Sequence, residues 1–401
     1  MRSKRRSIGR AGQVALAALI LLTSWPALLH CEPMPPRPRT FANGFPQDPQ
    51  FFPIGVWLQS PRNAAAYRAM GINTYIGLWK APTAQDLAQL AEHGLHLIVE
   101  QSPQALGLAN GSIIRGWLHV DEPDNAQPDG RGGYGDCIMP AAVVRRYEEL
   151  KAADSTRPVF LNFGQAVANP EWFGRGWKCS QIAPQAYYTA SSPGADIVSF
   201  DIYPAAEERQ RHVMGKLELV GKGVANLRRW AKPDQPVWNA IETTHINNPS
   251  RRPLPPEVRS EVWMSLIHGS TGIFYFVHEW KPSFREDGVL RYPDTVAEIT
   301  RINAQIQSLA PVLNSPTLAD RVRVAAPVSI ATMVKRHGDT TYVFAVNMEK
   351  KPAKARLTLV DITGSHAVVL GEDRFLKLDG PTFEDDFGAY GVRLYKITGQ
   401  G

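Results

Sequence analysis

With 401 residues and an ordinary globular composition, 44% hydrophobic and 20% charged, the chain has room for one large domain with a smaller companion or for two of medium size. Its formal charge of +6 is concentrated at one end: Arg2, Lys4, Arg5, Arg6 and Arg10 fall in the first 31 residues, which hold no acid, and the remainder carries +1. A nearly neutral body gives no electrostatic reason to expect nucleic acid or another polyanion as a partner.

The basic start runs into the apolar segment VALAALILL, Val14 to Leu22, and then into the Pro-rich PMPPRPR. That order is a secretory signal over residues 1–31 followed by an unstructured lead-in over 32–48, so the protein is expected to be exported to the periplasm, the cell surface or beyond. The stretch is short for a spanning helix and contains Pro26, which favours cleavage or lipidation over a permanent anchor. Cys31 is the candidate for a lipid, although His30 stands where a lipobox carries a small residue, and Arg5-Arg6 is a weak twin-arginine signal. A membrane association is expected only through this N-terminal segment.

From residue 50 to residue 280 a short apolar run alternates with a helical stretch. The runs are FPIGVWLQ from Phe52, INTYIGLW from Ile72, LHLIVEQ from Leu95, IIRGWLHVDE from Ile113, PVFLNFG from Pro158, DIVSFDIYP from Asp196, PVWNAIET from Pro236 and TGIFYFVHEW from Thr271. Near-continuous apolarity marks strands covered on both faces. Intervening stretches such as AQDLAQLAEHG and EVRSEVWMSLIHG supply the crossovers that a parallel sheet requires. Eight units over roughly 250 residues predict a (β/α)₈ barrel over 49–314, with an open doubly wound sheet as the alternative. No strand is followed by a Gly-rich dinucleotide or phosphate fingerprint, and no cofactor is expected.

Beyond ITRINAQIQSLAPVL the pattern changes to RVRVAA, IATMVKR, TTYVFAVNM, KARLTLV, HAVVLG and YGVRLYKI, separated by turns such as RHGDT and LDGP. Residues 318–398 therefore read as a small all-β sandwich packed on the barrel, with a carbohydrate-binding role as the sharper alternative. Cys137 and Cys179 both lie in Gly-rich loops, GGYGDC and GRGWKC. In an exported chain they point to a disulfide before a metal site, two free buried thiols being the other reading.

Barrel chemistry sits where strands run out into the βα loops, and here those ends are polar. They carry Trp57 and Gln59, Trp79, Glu100 and Gln101, then His119, Asp121 and Glu122, then Asn162, then Asp201 and Tyr203, then Asn239, Glu242 and His245, and finally His278, Glu279 and Trp280. A carboxylate at the end of a buried strand is costly unless paired or functional. Glu122 and Glu242 belong to strands four and seven, across the mouth of one barrel, and two carboxylates over a pocket are what glycosidic cleavage needs. Trp57, Trp79, Trp280, Trp172 and Trp177 offer flat faces for sugar rings, with two of the five expected to fill the core instead; Asn162, Asp121, His245 and Tyr203 offer hydroxyl partners.

With VDEPD, FDIYP, NAIETTH and VHEW in order on strands four, six, seven and eight, the chain resembles the clan A retaining glycoside hydrolases over about residues 50–312. The terminal TFEDDFGAYGVRLYKI is also similar to the sandwiches appended to such barrels. The resemblance implies Glu122 as acid/base, Glu242 as nucleophile, Tyr203 as the hydrogen-bond partner of that nucleophile and Trp280 as the floor under the sugar at the cleavage point. Asp121 stands where the clan carries an Asn that contacts the substrate 2-hydroxyl, a departure that bears on which sugar is bound. A β-linked poly- or oligosaccharide is the expected substrate. Two rivals stand beside this reading: a barrel that binds polysaccharide without cutting it, and a metal-dependent hydrolase drawing on His119 and Asp121 with His93, His96, His245 and His278 available. No metal is expected, because strand one lacks the His-x-His pair usual in barrel metal sites.

Overall fold

Each apolar run becomes a strand because its β-branched and aromatic residues can be buried on both faces. In the computed structural model, which describes residues 39–180 and 182–399, these strands alternate with helices: β1 (Ile54–Trp57), α1 (Ala64–Ala69), β2 (Thr74–Ile76), α2 (Ala84–Glu92), β3 (His96–Glu100), α3 (Pro103–Gly107), β4 (Ile114–Leu118), α4 (Pro140–Ala153), β5 (Val159–Phe163), α5 (Pro184–Ser191), β6 (Ile197–Phe200), α6 (Glu218–Trp230), β7 (Trp238–Glu242), α7 (Pro255–Ile267), β8 (Gly272–Phe276), α8 (Pro293–Ser308) and α9 (Ala310–Leu313). The signal expected over residues 1–31 lies outside the described residues. Among the described residues no helix is long and apolar enough to cross a membrane.

The strands pair in parallel in the order β6-β5-β4-β3-β2-β1-β8-β7, and a parallel bridge between Val198 and Val237 joins the two ends. This is a closed (β/α)₈ barrel, not an open sheet. Its interior is filled by alternate strand residues, Trp57, Ile76, Ile98, Leu118, Phe160, Ile197, Trp238, Ala240 and Phe274. Three of the aromatics meet edge to face, with Phe160 5.5 Å from Trp238 and 5.9 Å from Phe274. Gly272 makes room for them, since a Cβ there would sit 2.5 Å from the Trp238 indole.

Helix starts are written locally. Proline occupies the first turn of α3, α4, α5, α7 and α8, where its missing N–H costs nothing. Thr83 and Asp86 form a reciprocal cap on α2.

The C-terminal strands β9 (Val322–Ala325), β10 (Ile330–His337), β11 (Thr340–Asn347), β12 (Ala353–Leu359), β13 (His366–Val369), β14 (Phe375–Lys377), β15 (Thr382–Phe387) and β16 (Val392–Thr398) form two antiparallel sheets, β10-β11-β16-β13-β14 and β15-β12-β9. Sequence patterning misses β14 and β15. In β15 the acidic run Glu384-Asp385-Asp386 hides the alternation, yet Phe383, Asp385 and Phe387 all point inward. Arg374 and the Tyr395 hydroxyl satisfy the buried Asp385. The sandwich packs on α7: Phe344 stacks on Trp263 at 5.4 Å, and Ser260 donates to the carbonyl of Tyr390 at 2.7 Å. As a result α7 is buried from Val258 to Ile267 except at Arg259.

Candidate active site

At the C-terminal end of β4 the chain keeps hydrogen bonding to β5 beyond the last regular strand residue. The amide of His119 donates to Phe160 O at 2.8 Å and that of Glu122 to Asn162 O at 2.9 Å. Glu122 then takes a left-handed conformation with φ of 43°, and the Asn125 amide closes the turn on its carbonyl at 2.9 Å. For a non-glycine residue such a turn costs on the order of 1–3 kcal/mol, and such strain is concentrated at functional sites. Leu58 after β1 and Ile246 after β7 are also left-handed, so several tips of the barrel share it.

The Glu122 carboxylate accepts from Arg175 Nη2 at 2.7 Å and Asn125 Nδ2 at 3.0 Å, both on Oε2. Arg175 comes from the loop after β5. That loop is fixed by the Asn125 side chain, which accepts the Arg175 amide at 2.8 Å, and by the Cys137–Cys179 disulfide. The pairing expected for these two cysteines is the one present. Gly174 must be glycine, because it has φ of 75° and a Cβ there would strike Cys179 Sγ.

Beside Glu122, the Asn162 amide donates one proton to Asp121 Oδ1 at 3.0 Å and the other to Asp201 Oδ1 at 3.1 Å. Its orientation is set by Ser199, whose hydroxyl donates to Asn162 Oδ1 at 2.8 Å. Asp121 reaches solvent at the mouth, Asp201 is half-buried and Asn162 is buried. Desolvation by the surrounding walls and, second, the charge of Glu122 push both aspartates above the usual carboxylate range. Asp124 is fully enclosed, accepts from the Tyr188 hydroxyl at 2.6 Å and the Gly164 amide at 2.8 Å, and is pushed up to about 6 by burial.

Glu242 ends β7, as its spacing from Glu122 predicts, but it does not face an open pocket. It has no accessible surface, and its two oxygens accept from the backbone amides of Ala205 and Ala206 in the segment following β6. Tyr203, expected against Glu242, instead lies on Phe276 with ring centroids 4.9 Å apart, next to Asp201. The reason is the path of residues 203–206, which fold back over the tip of β7.

Of the five candidate tryptophans, one is in the core, one is half-buried and three are exposed. Trp57 belongs to the barrel interior against Phe274, which corrects its assignment to substrate, and Trp172 packs half-buried beside α5. Trp79, Trp177 and Trp280 are exposed at 42%, 71% and 44%. Trp79 and Trp280 join Phe284 in an aromatic wall around the buried His278, with Trp280 and Phe284 4.8 Å apart and Trp79 and Phe284 5.5 Å apart. Glu286 anchors that wall by accepting from Trp79 Nε1 at 2.5 Å and from the Arg62 guanidinium. His245 lies apart from the carboxylates, bonded to Asn248 O and edge-on to Tyr292. His119 points outward and meets Val143 O of α4, so it does not stand with Asp121 as the metal reading requires. Asp201, Arg175, Phe284 and Glu286 carry parts of the mouth that sequence patterning does not assign. The FDIYP motif holds a signal for Asp201; Arg175 has only its neighbour Cys179. A cavity of about 500 Å³ at the opposite end, lined by Arg68, Asn73, His96 and Gln307 among others, brings together no carboxylates.

No protein-family model matches the chain, and no curated protein sequence does. Its fold is shared with solved glycoside hydrolases. The Anoxybacillus α-amylase superposes with a TM-score of 0.54 at 8% identity, covering 89% of this chain and 100% of that one. α-Galactosidase I from Mortierella vinacea gives 0.53 at 12% identity, covering 88% and 98%. The Geobacillus thermoleovorans α-amylase bound to acarbose gives 0.53 at 10% identity, covering 90% and 100%. At these identities the likeness is one of fold: a TIM barrel followed by a C-terminal β domain.

Proposed function

We propose that the protein is an exported glycoside hydrolase acting on a β-linked poly- or oligosaccharide with retention of configuration. One observation carries the reading: three carboxylates, Asp121, Glu122 and Asp201, converge at a strained barrel mouth that also exposes Trp79, Trp177, Trp280 and Phe284. Such a mouth can bind a sugar face and supply proton transfer in the same place. Export is supported by the N-terminal pattern and by the disulfide.

In this mechanism protonated Glu122 gives its proton to the glycosidic oxygen as the bond to the anomeric carbon breaks. The Glu242 carboxylate attacks that carbon from the opposite face to form a glycosyl ester. Glu122, now an anion, takes a proton from water, whose oxygen displaces Glu242. For the attack, residues 204–206 must withdraw from the Glu242 oxygens. Asp121, held by Asn162, is suited to a sugar hydroxyl, and Trp280 to the ring at the cleavage point.

A second reading, favoured by the open position of Asp201, gives Asp201 the role of partner to Glu122 and leaves Glu242 structural. The neighbours carry α-amylase and α-galactosidase names, so the test uses both linkages. The mature protein is incubated with a panel of α- and β-linked polysaccharides and aryl glycosides, with Glu122→Gln as control. Release of reducing ends from β-linked members by wild type alone supports the proposal. Action on α-linked members only overturns the linkage, and binding without release in every case overturns the enzyme.

A further inference from the structure

Glu261 is a fully buried acid that the mechanism does not use. It lies on α7, the helix that the C-terminal sandwich seals, and no N–H or O–H donor reaches either of its oxygens. Its position follows from the packing of α7 on β7. Asn239 donates to Ser265 Oγ at 2.8 Å, and Ser265 donates to the Glu261 carbonyl one turn back at 2.7 Å. The strand rises as the helix descends, so Glu261 falls opposite the tip of β7, with its carboxyl beside that of Glu242.

Two enclosed carboxyl groups side by side are not both anions, since burial penalises each charge and the two repel. Glu242 already has two amide donors, from Ala205 and Ala206, which favour the anion. Glu261 has none, which favours the acid. The surrounding charges agree. From the loop after β7, Arg251 lies near Glu242, donates to Ala205 O and pairs with Glu257 of α7 at 2.6 Å. Glu257 in turn acts on Glu261 as a like charge. On the sandwich side the Tyr390 hydroxyl takes up Glu218 of α6 at 2.7 Å.

We propose that Glu261 is a positioning residue that holds one proton against Glu242, fixing Glu242 as the single anion of the pair and aiming its carboxylate. The catalytic significance rests on Glu242 as nucleophile; the shared proton does not. Because the folded protein binds this proton more tightly than the unfolded chain does, stability conferred by it is full below the ordinary glutamate range. It is lost as pH rises toward the folded-state value.

The test is the pH dependence of urea unfolding for the full chain and for Glu261→Gln, which keeps a donor toward Glu242 but cannot titrate. Between pH 5 and the folded-state ionisation, the wild-type unfolding constant is expected to rise ~10-fold per pH unit more steeply than that of the variant, the effect of one linked proton. Equal slopes overturn the proposal. Should the variant fail to fold, infrared spectra of the wild type at neutral pH serve instead, compared with Glu242→Gln and Asp201→Asn. A protonated-carboxyl band that shifts in Glu242→Gln and stays in place in Asp201→Asn supports the shared proton. No such band in wild type, or one removed by Asp201→Asn alone, overturns it. A difference in slope together with full activity of Glu242→Ala would leave the proton pair standing and remove the nucleophile.

Discussion

β4 and β7 each lead to a glutamate at the same end of the barrel, Glu122 four residues past the last residue of β4 and Glu242 closing β7, and the two end in opposite surroundings. After Glu122 the segment to Met139 swings aside and is tied to the next loop by Cys137–Cys179, leaving the carboxylate at the mouth with Arg175. After β6, residues 203–206 turn back over Glu242, while α7 behind it is roofed by the sandwich. Whether a strand-end acid faces substrate is therefore decided by the path of the chain beyond the neighbouring strand and by the layer backing the helix outside.

The sharpest way to break this contrast is to remove each acid. Glu122→Ala is expected to lower kcat/KM by ~10²–10⁴-fold. Its unfolding free energy should change by about 1 kcal/mol or less, since its ion pair is partly exposed. Glu242→Ala should lose at least as much activity and also about 1–3 kcal/mol of stability, because two amides and Glu261 lose their partner. Chemical denaturation beside steady-state kinetics checks both; equal stability losses would erase the distinction.

A smaller effect tests the tie that holds the β4 side open. The Cys137→Ser, Cys179→Ser double variant should lose about 2–4 kcal/mol of stability. Its kcat/KM should fall roughly as far as that of Arg175→Ala, ~10-fold, as expected for a displaced positioning group. Arg175→Ala should keep native stability. Of the same size but confined to binding, Trp280→Ala should raise KM ~10-fold with little change in kcat, as for binding shared by ground and transition states. Trp57→Ala should instead cost about 3–5 kcal/mol of stability, because Trp57 fills the core. A further effect is in pH. Asp124, held up to about 6 by burial, favours the folded state fully below the ordinary aspartate range and loses that contribution as pH rises through 6. Asp124→Asn should therefore flatten the wild-type decline in stability between about pH 4 and 6, a difference of ~2–3 kcal/mol at most, read by urea titrations across that range.

The barrel was legible in the sequence because its eight strands are buried on both faces and read as unbroken apolar runs, and the Pro-initiated helices between them are equally plain. β15 was not legible, because its inward Asp385 is satisfied by Arg374 and Tyr395, which are distant from any local pattern. The same limit applies at the site. Glu122, Asp121, Asn162 and Trp280 could be found as strand ends, whereas the covering of Glu242 depends on the path of four residues after β6, and Arg175 reaches Glu122 across 53 positions of chain. Trp57 shows that a strand-end aromatic can point down the barrel axis as readily as into the mouth; the Phe274 ring beside it settles which.

The pairing of Glu122 with Glu242 is tested most directly by chemical rescue. Glu242→Ala is assayed on an activated aryl β-glycoside with and without azide, and the product anomer is read by proton NMR. The account predicts that azide restores turnover and yields the inverted, α-glycosyl azide. Rescue confined to Asp201→Ala, with Glu242→Ala as active as wild type, would contradict it.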